Sequence, residues 1–250
     1  MRKGIEKILI EGSESLRVNL DSFQLALFLQ YFDILCKWNT KINLTSIRTP
    51  KEIIVKHFLD SLTCVKIVKS YINSRVNEKK EIRIIDVGTG AGFPGIPLKI
   101  VIPSLKMTLL EAKEKKTDFL KELVKKLDIR GIEIIKERAE IIGKNNDFRE
   151  SYDMSISRAV APLSVLSEYS LPLVKKNGWF IAQKGRKYEE ELRCSMKVLE
   201  LLGGALVKIE NINLPILKQE RNIIVIQKIK NTPDEYPRRD GLPKKRPLNI

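Results

Sequence analysis

The sequence is poor in the side chains that most often carry covalent or metal chemistry. Its three cysteines, Cys36, Cys64 and Cys194, are widely separated. They form no CxxC pair and no zinc-ligand spacing, so they read as reduced packing residues of a cytoplasmic protein, and no metal is expected. There is one histidine, His57. It lies outside the segment that alternates strands and helices, and a structural place at a packing seam is expected of it. Aromatic residues make up only 6% of the chain, too few for an extended platform that stacks single-stranded bases. No apolar run approaches the ~18 residues of a membrane span, so no membrane partner is expected. The basic start, MRKGIEKILIEGSES, lacks the roughly 7–15-residue apolar core of a secretory leader. No internal repeat or low-complexity tract is present. Acid is scarce as well: 46 Lys and Arg stand against 31 Asp and Glu, a formal charge of +15. A polyanionic partner fits that excess. A lysine-rich proteome would produce it too, so charge alone leaves the partner open.

What is present has a clear order. Residues 21–38 place Leu25, Phe28, Phe32, Leu35 and Trp38 at steps of three and four, one apolar helix face with Asp21 or Ser22 as N-cap. A second helix is expected from Pro50 to about Tyr71, with Ile54, Phe58, Leu62, Val65 and Val68 on one face; proline suits the first turn. Residues 73–81, NSRVNEKKE, read as a link. From Ile82 onward, β-branched runs alternate with helical ones. Strands are expected at 82–87, 107–111, 132–136, 153–157 and 179–183, with helices at 113–127, 162–174 and 188–202. Gly203-Gly204 is a good helix stop. Two more strands, 206–212 and 222–228, have no helix between them and should pair antiparallel. This predicts an α/β fold with a mostly parallel seven-stranded sheet, helices on both faces, an antiparallel strand at one edge and an N-terminal helical extension. It is the Rossmann-like layout of class I methyltransferases. The expected units are 1–78 (helical extension), 79–230 (sheet domain) and 231–250 (a basic, proline-bearing tail, extended on the surface).

Four glycines, Gly88, Gly90, Gly92 and Gly95, crowd the loop after the first strand in RIIDVGTGAGFPGIPLKI. A parallel sheet binds ligands at the carboxyl ends of its strands, and glycine lets a ligand reach the backbone. The loop fits a nucleotide-like cofactor. GxGxxG with Glu111 downstream formally matches a dinucleotide site, but that pattern alone is weak. S-adenosylmethionine competes with it. That ligand is cationic, and carboxylates end successive strands: Asp86 after the first, Glu111 after the second for ribose hydroxyls, and Glu140 after the third for the adenine amino group. Three acids in a strongly basic chain suit a ligand that carries donors and positive charge.

With these motifs placed, the chain resembles the bacterial small-subunit (16S) ribosomal RNA guanine-N7 methyltransferases of the RsmG (GidB) family over roughly residues 20–248. The resemblance rests on WNTKINLTS (38–46), HFLDSL (57–62), IIDVGTGAGFPGIPLKI (84–100), TLLEAKEKKTDFLKEL (108–123), ERAE (137–140), DMSISRAVAPL (153–163), GWFIAQKG (178–185) and YPRRDGLPKKRPL (236–248). It implies cofactor contacts at Gly88 and Phe93, at Ala139 and Glu140, and at Arg158; Asp86, Gly90 and Glu111 join them from the argument above. It implies methyl transfer from S-adenosylmethionine to N7 of a guanine in 16S rRNA or the small subunit. No residue pattern speaks to oligomeric state, and a monomer is the default expectation. N7 has a lone pair and no proton, so no general base is needed. Where exocyclic-amine methylases carry Asn/Asp-Pro-Pro-aromatic, this chain reads SRAVAP. Arg158 there is the expected catalytic group, donating to the O6/N7 edge of the base or to a cofactor carboxylate; its alternative is a structural pair with an acid. Lys184, Arg238, Arg239, Lys244, Lys245 and Arg246 are expected to meet phosphates. Asn43, Thr45 and Arg48 either touch RNA or stop the first helix. Two other functions stay open on these residues: an NAD(P)-dependent reductase, and a non-catalytic RNA-binding assembly factor.

Overall fold

The computed structural model describes residues 2–75, 81–158, 161–217 and 219–248. The expected link at 73–81, and with it the boundary at 78/79, lies largely outside the described residues.

The N-terminal part is helical. It comprises α1 (Arg2–Ser15), α2 (Ser22–Asn39), α3 (Pro50–Ile53), a π-helical turn (Ile54–Leu59), α4 (Asp60–Leu62) and α5 (Val65–Asn73). Asp21 caps α2 through a reciprocal capping box with Gln24, which satisfies two donors of the first turn. Helix α1 is absent from the sequence expectation. Its buried positions Ile5, Leu9, Gly12 and Ser13 fall on one side of an otherwise charged segment. The helix expected over residues 50–71 is widened at Ile54–Leu59 and turns again at 63–64. Such π-turns shift side chains around the axis, and His57 sits in this one.

The sheet contains β1 (Arg83–Val87), β2 (Lys106–Leu110), β3 (Ile132–Ile135), β4 (Tyr152–Arg158), β5 (Val174–Lys184), β6 (Gly204–Leu214) and β7 (Gln219–Lys228). The order is β3-β2-β1-β4-β5-β7-β6. The first five strands run parallel, and β7 pairs antiparallel with both β5 and β6. The reversed strand is therefore one place in from the edge, with β6 outermost. Helices α6 (Gly95–Val101), α7 (Glu114–Leu127), α8 (Ala139–Ile142), α9 (Leu163–Ser170) and α10 (Glu189–Leu201) connect the strands, and a short α11 (Leu242–Lys245) lies in the tail.

Phe28, Tyr31 and Phe58 from the N-terminal helices share one buried cluster with Ile84, Leu109 and Ile181 of the sheet. The helical extension covers a sheet face with this shared core. Strand order reverses between β1 and β4, the place where open parallel sheets bind ligands.

The tail corrects the expectation of an extended surface segment. Arg149 donates to the carbonyls of Thr232, Pro233 and Tyr236. Arg238 donates to Glu168 from its backbone N (2.8 Å), Nε (2.9 Å) and Nη2 (2.7 Å), and the Glu168 side chain is fully buried. A buried carboxylate left without its partner is costly. Arg238→Ala is thus expected to loosen the tail, seen as several-fold faster tryptic cleavage after Arg239, Lys244 or Lys245 by intact mass. Unchanged cleavage would contradict this anchor.

Candidate active site

A cavity of about 980 Å³ opens at the carboxyl ends of β1, β2, β4 and β5, at the upper end of the usual size for ligand sites. Its floor is the glycine loop, and the loop's glycines serve different ends. Gly90 has φ +63°, and a Cβ there would meet nothing closer than Lys116 Nζ at 3.7 Å; it presents bare backbone to the cavity. Gly95 faces the core, where a Cβ would lie 2.8 Å from Asp86 Oδ2 and 2.6 Å from Leu109 Cδ2.

Asp86 departs from its expected role. It is fully buried and absent from the cavity lining. Its Oδ2 accepts from Thr89 Oγ1 at 2.7 Å and Gly95 N at 2.8 Å, so it knits the loop from below. Its Oδ1 is buried without a hydrogen-bond partner. Burial pushes the Asp86 carboxyl up to about 6, against the lowering by its two hydrogen bonds and Arg158. It acts on a ligand through the loop it shapes and the acceptor it leaves beneath it.

Glu111 reaches the cavity. Its Oε2 accepts from Gly90 N at 3.1 Å and its Oε1 from Lys113 N at 2.9 Å, and Lys116 lies at 3.8 Å. Each oxygen keeps a further lone pair for donors in the cavity. Ala139 and Glu140, at the start of α8, also line it. Glu140 Oε1 accepts from Gly241 N at 3.0 Å, which ties the tail to this end of the site. Gly88 lines the cavity with φ +71°.

Phe93 lines the cavity while most of its ring is buried between other rings. It stacks on Tyr31 (5.1 Å, 8°) and on His57 (4.7 Å, 13°), and the Arg158 guanidinium sits 5.2 Å over its face. Arg158 Nη1 donates to Lys56 O at 2.9 Å and Asp60 Oδ2 at 3.2 Å, and Nη2 to His57 Nδ1 at 3.2 Å. Asp60 also accepts from Arg221 Nε at 2.9 Å. Arg158 is therefore paired with an acid while it lines the cavity. Ala159 and Val160 of the SRAVAP loop lie outside the described residues.

His57 is at the expected seam between the helices and the sheet, but it also lines the cavity. Burial, then the Arg158 charge, pushes it down to about 3 from its ordinary 6.5. The unfolded chain binds the proton first, so this group stabilises the fold above about pH 6.5, and that contribution is lost as pH falls toward 3. Since His57 is the single histidine, its ring NMR resonance is expected to stay flat from about pH 8 to about pH 5. A titration centred near 6.5 would contradict the burial.

The expected phosphate contacts divide. Arg239, Lys244, Lys245 and Arg246 are exposed, and Lys244 lines the cavity. Arg238 is engaged by Glu168, and Lys184 Nζ donates to Ala161 O at 2.8 Å and Glu191 Oε1 at 2.6 Å. Both are thus paired with acids, Lys184 while it lines the cavity. Sequence reasoning missed Lys56 and Arg221, which line the cavity. No local motif marks them: Arg221 reaches Asp60 across 161 residues of sequence.

The bare Gly90 backbone, where a Cβ would meet nothing closer than 3.7 Å among the described residues, and the Glu111 acceptors for ribose hydroxyls fit S-adenosylmethionine. Comparison with known proteins agrees. A family model described as "rRNA small subunit methyltransferase G" (GidB) matches residues 24–224. The ribosomal RNA small subunit methyltransferase G of Acetivibrio thermocellus is 49% identical over 244 residues, 98% of this chain and 97% of that protein. That of Bacillus subtilis is 47% identical over 231 residues, covering 92% and 93%. A solved SAM-dependent methyltransferase from Aquifex aeolicus superposes with a TM-score of 0.52 at 19% identity, covering 74% of this chain and 97% of that one, a likeness of fold. The chain thus belongs to the rRNA small subunit methyltransferase G (GidB) family, and it is a methyltransferase that uses S-adenosylmethionine.

Proposed function

We propose that this protein transfers the methyl group to N7 of one guanine in small-subunit (16S) ribosomal RNA. The observation that carries the reading is that the Gly88–Gly90 backbone and Glu111 share one cavity with His57, Arg158 and the exposed cation Lys244. Glu111 would hold the ribose hydroxyls, Ala139 and Glu140 the adenine, and Gly88 and Gly90 would let the cofactor lie against the main chain. Phe93 would face the cofactor from the loop, and it is also the ring on which His57 and Arg158 rest. When bound, the cofactor supplies an electrophilic methyl on a sulfonium.

The protein's own residues orient the base and keep water out. Alignment of reacting atoms supplies roughly 7–11 kcal/mol of a barrier. No general base is required, and the single histidine offers none: both His57 ring nitrogens are engaged, Nδ1 by Arg158 and Nε2 by Thr45 at 2.8 Å. Arg158 holds the His57 ring and carries positive charge at the cavity wall. The exposed Arg239, Lys244, Lys245 and Arg246 track phosphates, with affinity that falls as salt rises. No helix of the described residues is long and apolar enough to cross a membrane. The protein acts in the cytoplasm, where ribosomal RNA is assembled, as a monomer.

The test is transfer of labelled methyl from the cofactor to small-subunit RNA or particles, followed by nucleoside digestion. The expected product is 7-methylguanosine. Label on another nucleoside, or NADH fluorescence enhancement without methyl transfer, would overturn the reading.

A further inference from the structure

One hydroxyl in the cavity wall has its direction fixed by its neighbours. Thr45 is half-buried in the connection after α2 and lines the cavity. Its backbone is held on both sides by one side chain. Asn39 Oδ1 accepts from Leu44 N and Thr45 N, each at 3.0 Å, and Asn39 Nδ2 donates to Thr45 O at 3.1 Å. Thr45 Oγ1 lies 2.8 Å from His57 Nε2 and 3.1 Å from Ile47 N.

The donor roles follow from chemistry. A guanidinium only donates, so Arg158 Nη2 makes His57 Nδ1 the acceptor. The ring is neutral, hence its proton is on Nε2, and Nε2–H donates to Thr45 Oγ1. Ile47 N–H takes the second lone pair. What remains on that oxygen is its own hydrogen, and among the described residues no acceptor takes it. The chain Arg158–His57–Thr45 therefore ends in a hydroxyl that can only donate.

From this we infer that Thr45 is a specificity-determining residue whose hydroxyl donates to O6 of the target guanine. The inference rests on the guanine-N7 reading and deepens it. N7 must keep its lone pair free for the methyl, so recognition of that edge falls to its neighbour O6. Guanine presents acceptors at both O6 and N7, whereas adenine sets an amino donor beside N7. A fixed donor accepts the first edge and meets a second donor on the other. Leaving that donor unpaired is what rejects the wrong base.

The test is a cycle between protein and substrate. Wild type, Thr45→Val and Thr45→Ser are assayed on RNA with guanine, or with 2-aminopurine (guanine without O6), at the position the wild type methylates. Thr45→Val is expected to lower kcat/KM on guanine roughly tenfold, and Thr45→Ser to restore most of it. On 2-aminopurine, wild type and Thr45→Val should act equally, because there is no O6 to lose. Cofactor affinity by calorimetry should be unchanged in both variants; a merely structural role would move it. Should Thr45→Val melt early, Thr45→Ala gives the same cycle. Equal losses on both bases, or no loss on guanine, would overturn this inference and leave the N7 reading standing. Absence of N7 methylation by the wild type would overturn both.

Discussion

Arg158→Ala is expected to lower stability by about 3 kcal/mol and to abolish measurable methyl transfer. The reason is the burial of its partner. The Asp60 side chain is 5% exposed and that of Arg158 12%. Burial already pushes the Asp60 carboxyl up, and Arg158 and then Arg221 are the charges that oppose it. Removing one partner of a buried pair costs roughly 3–5 kcal/mol; Arg221 remains on the other oxygen, so the lower end applies. The same change frees His57 Nδ1 and removes the cation over Phe93. Denaturant midpoints and a labelled-methyl assay measure the two effects. His57 substitutions should cost less activity, since they leave the Arg158–Asp60 pair in place. Equal losses from Arg158 and His57 variants would reverse that ranking.

Glu111→Ala is expected to weaken S-adenosylmethionine binding about tenfold to a hundredfold in calorimetric titration. A hydrogen bond to a charged group contributes roughly 1.5–3 kcal/mol, and every 1.4 kcal/mol or so is tenfold in affinity. Glu111 also accepts from Gly90 N and Lys113 N, so part of the loss comes from a looser loop. Glu111→Gln separates these contributions: one oxygen still accepts, and binding should fall less than in the alanine variant. Asp86→Ala should also weaken the cofactor, but through the loop, because Thr89 and Gly95 lose the acceptor that gathers them. Wild-type affinity in Glu111→Ala would contradict the placement of the ribose.

Six of the seven strands were legible in the sequence to within three residues; β5 begins at Val174, five residues before its expected start and where a helix was expected to end. Runs such as IIDV and MTLL are short and apolar because both faces of a parallel sheet are covered. The missing helix between the last two runs announced the antiparallel β6–β7 pair. Helix α1 was missed because Arg2, Lys3, Glu6 and Lys7 dilute an apolar face of only a few residues. The break in the helix after Pro50 carries no local signal; the chain there follows the packing of Phe58 between Phe28, Tyr31 and Phe93. Sequence placed Asp86 on the ligand because strand-end acids often point there. In the structure Gly95 approaches so closely that the carboxylate turns into the loop. The docked tail was equally hidden. Arg238 reads as one cation among five until Glu168, 70 positions earlier, is seen to be buried opposite it. Pairings of this kind are made by the tertiary fold, across 70 to 161 residues, and no local pattern encodes them.

The central claim is that this cavity delivers a methyl group to a ring nitrogen that needs no deprotonation. Mass mapping of small-subunit rRNA from cells with and without the protein tests it most directly. The account predicts one guanine that is 7-methylated when the protein is present and unmodified when it is absent. Identical maps, or a methyl that disappears from an exocyclic amine or a pyrimidine carbon instead, would contradict it.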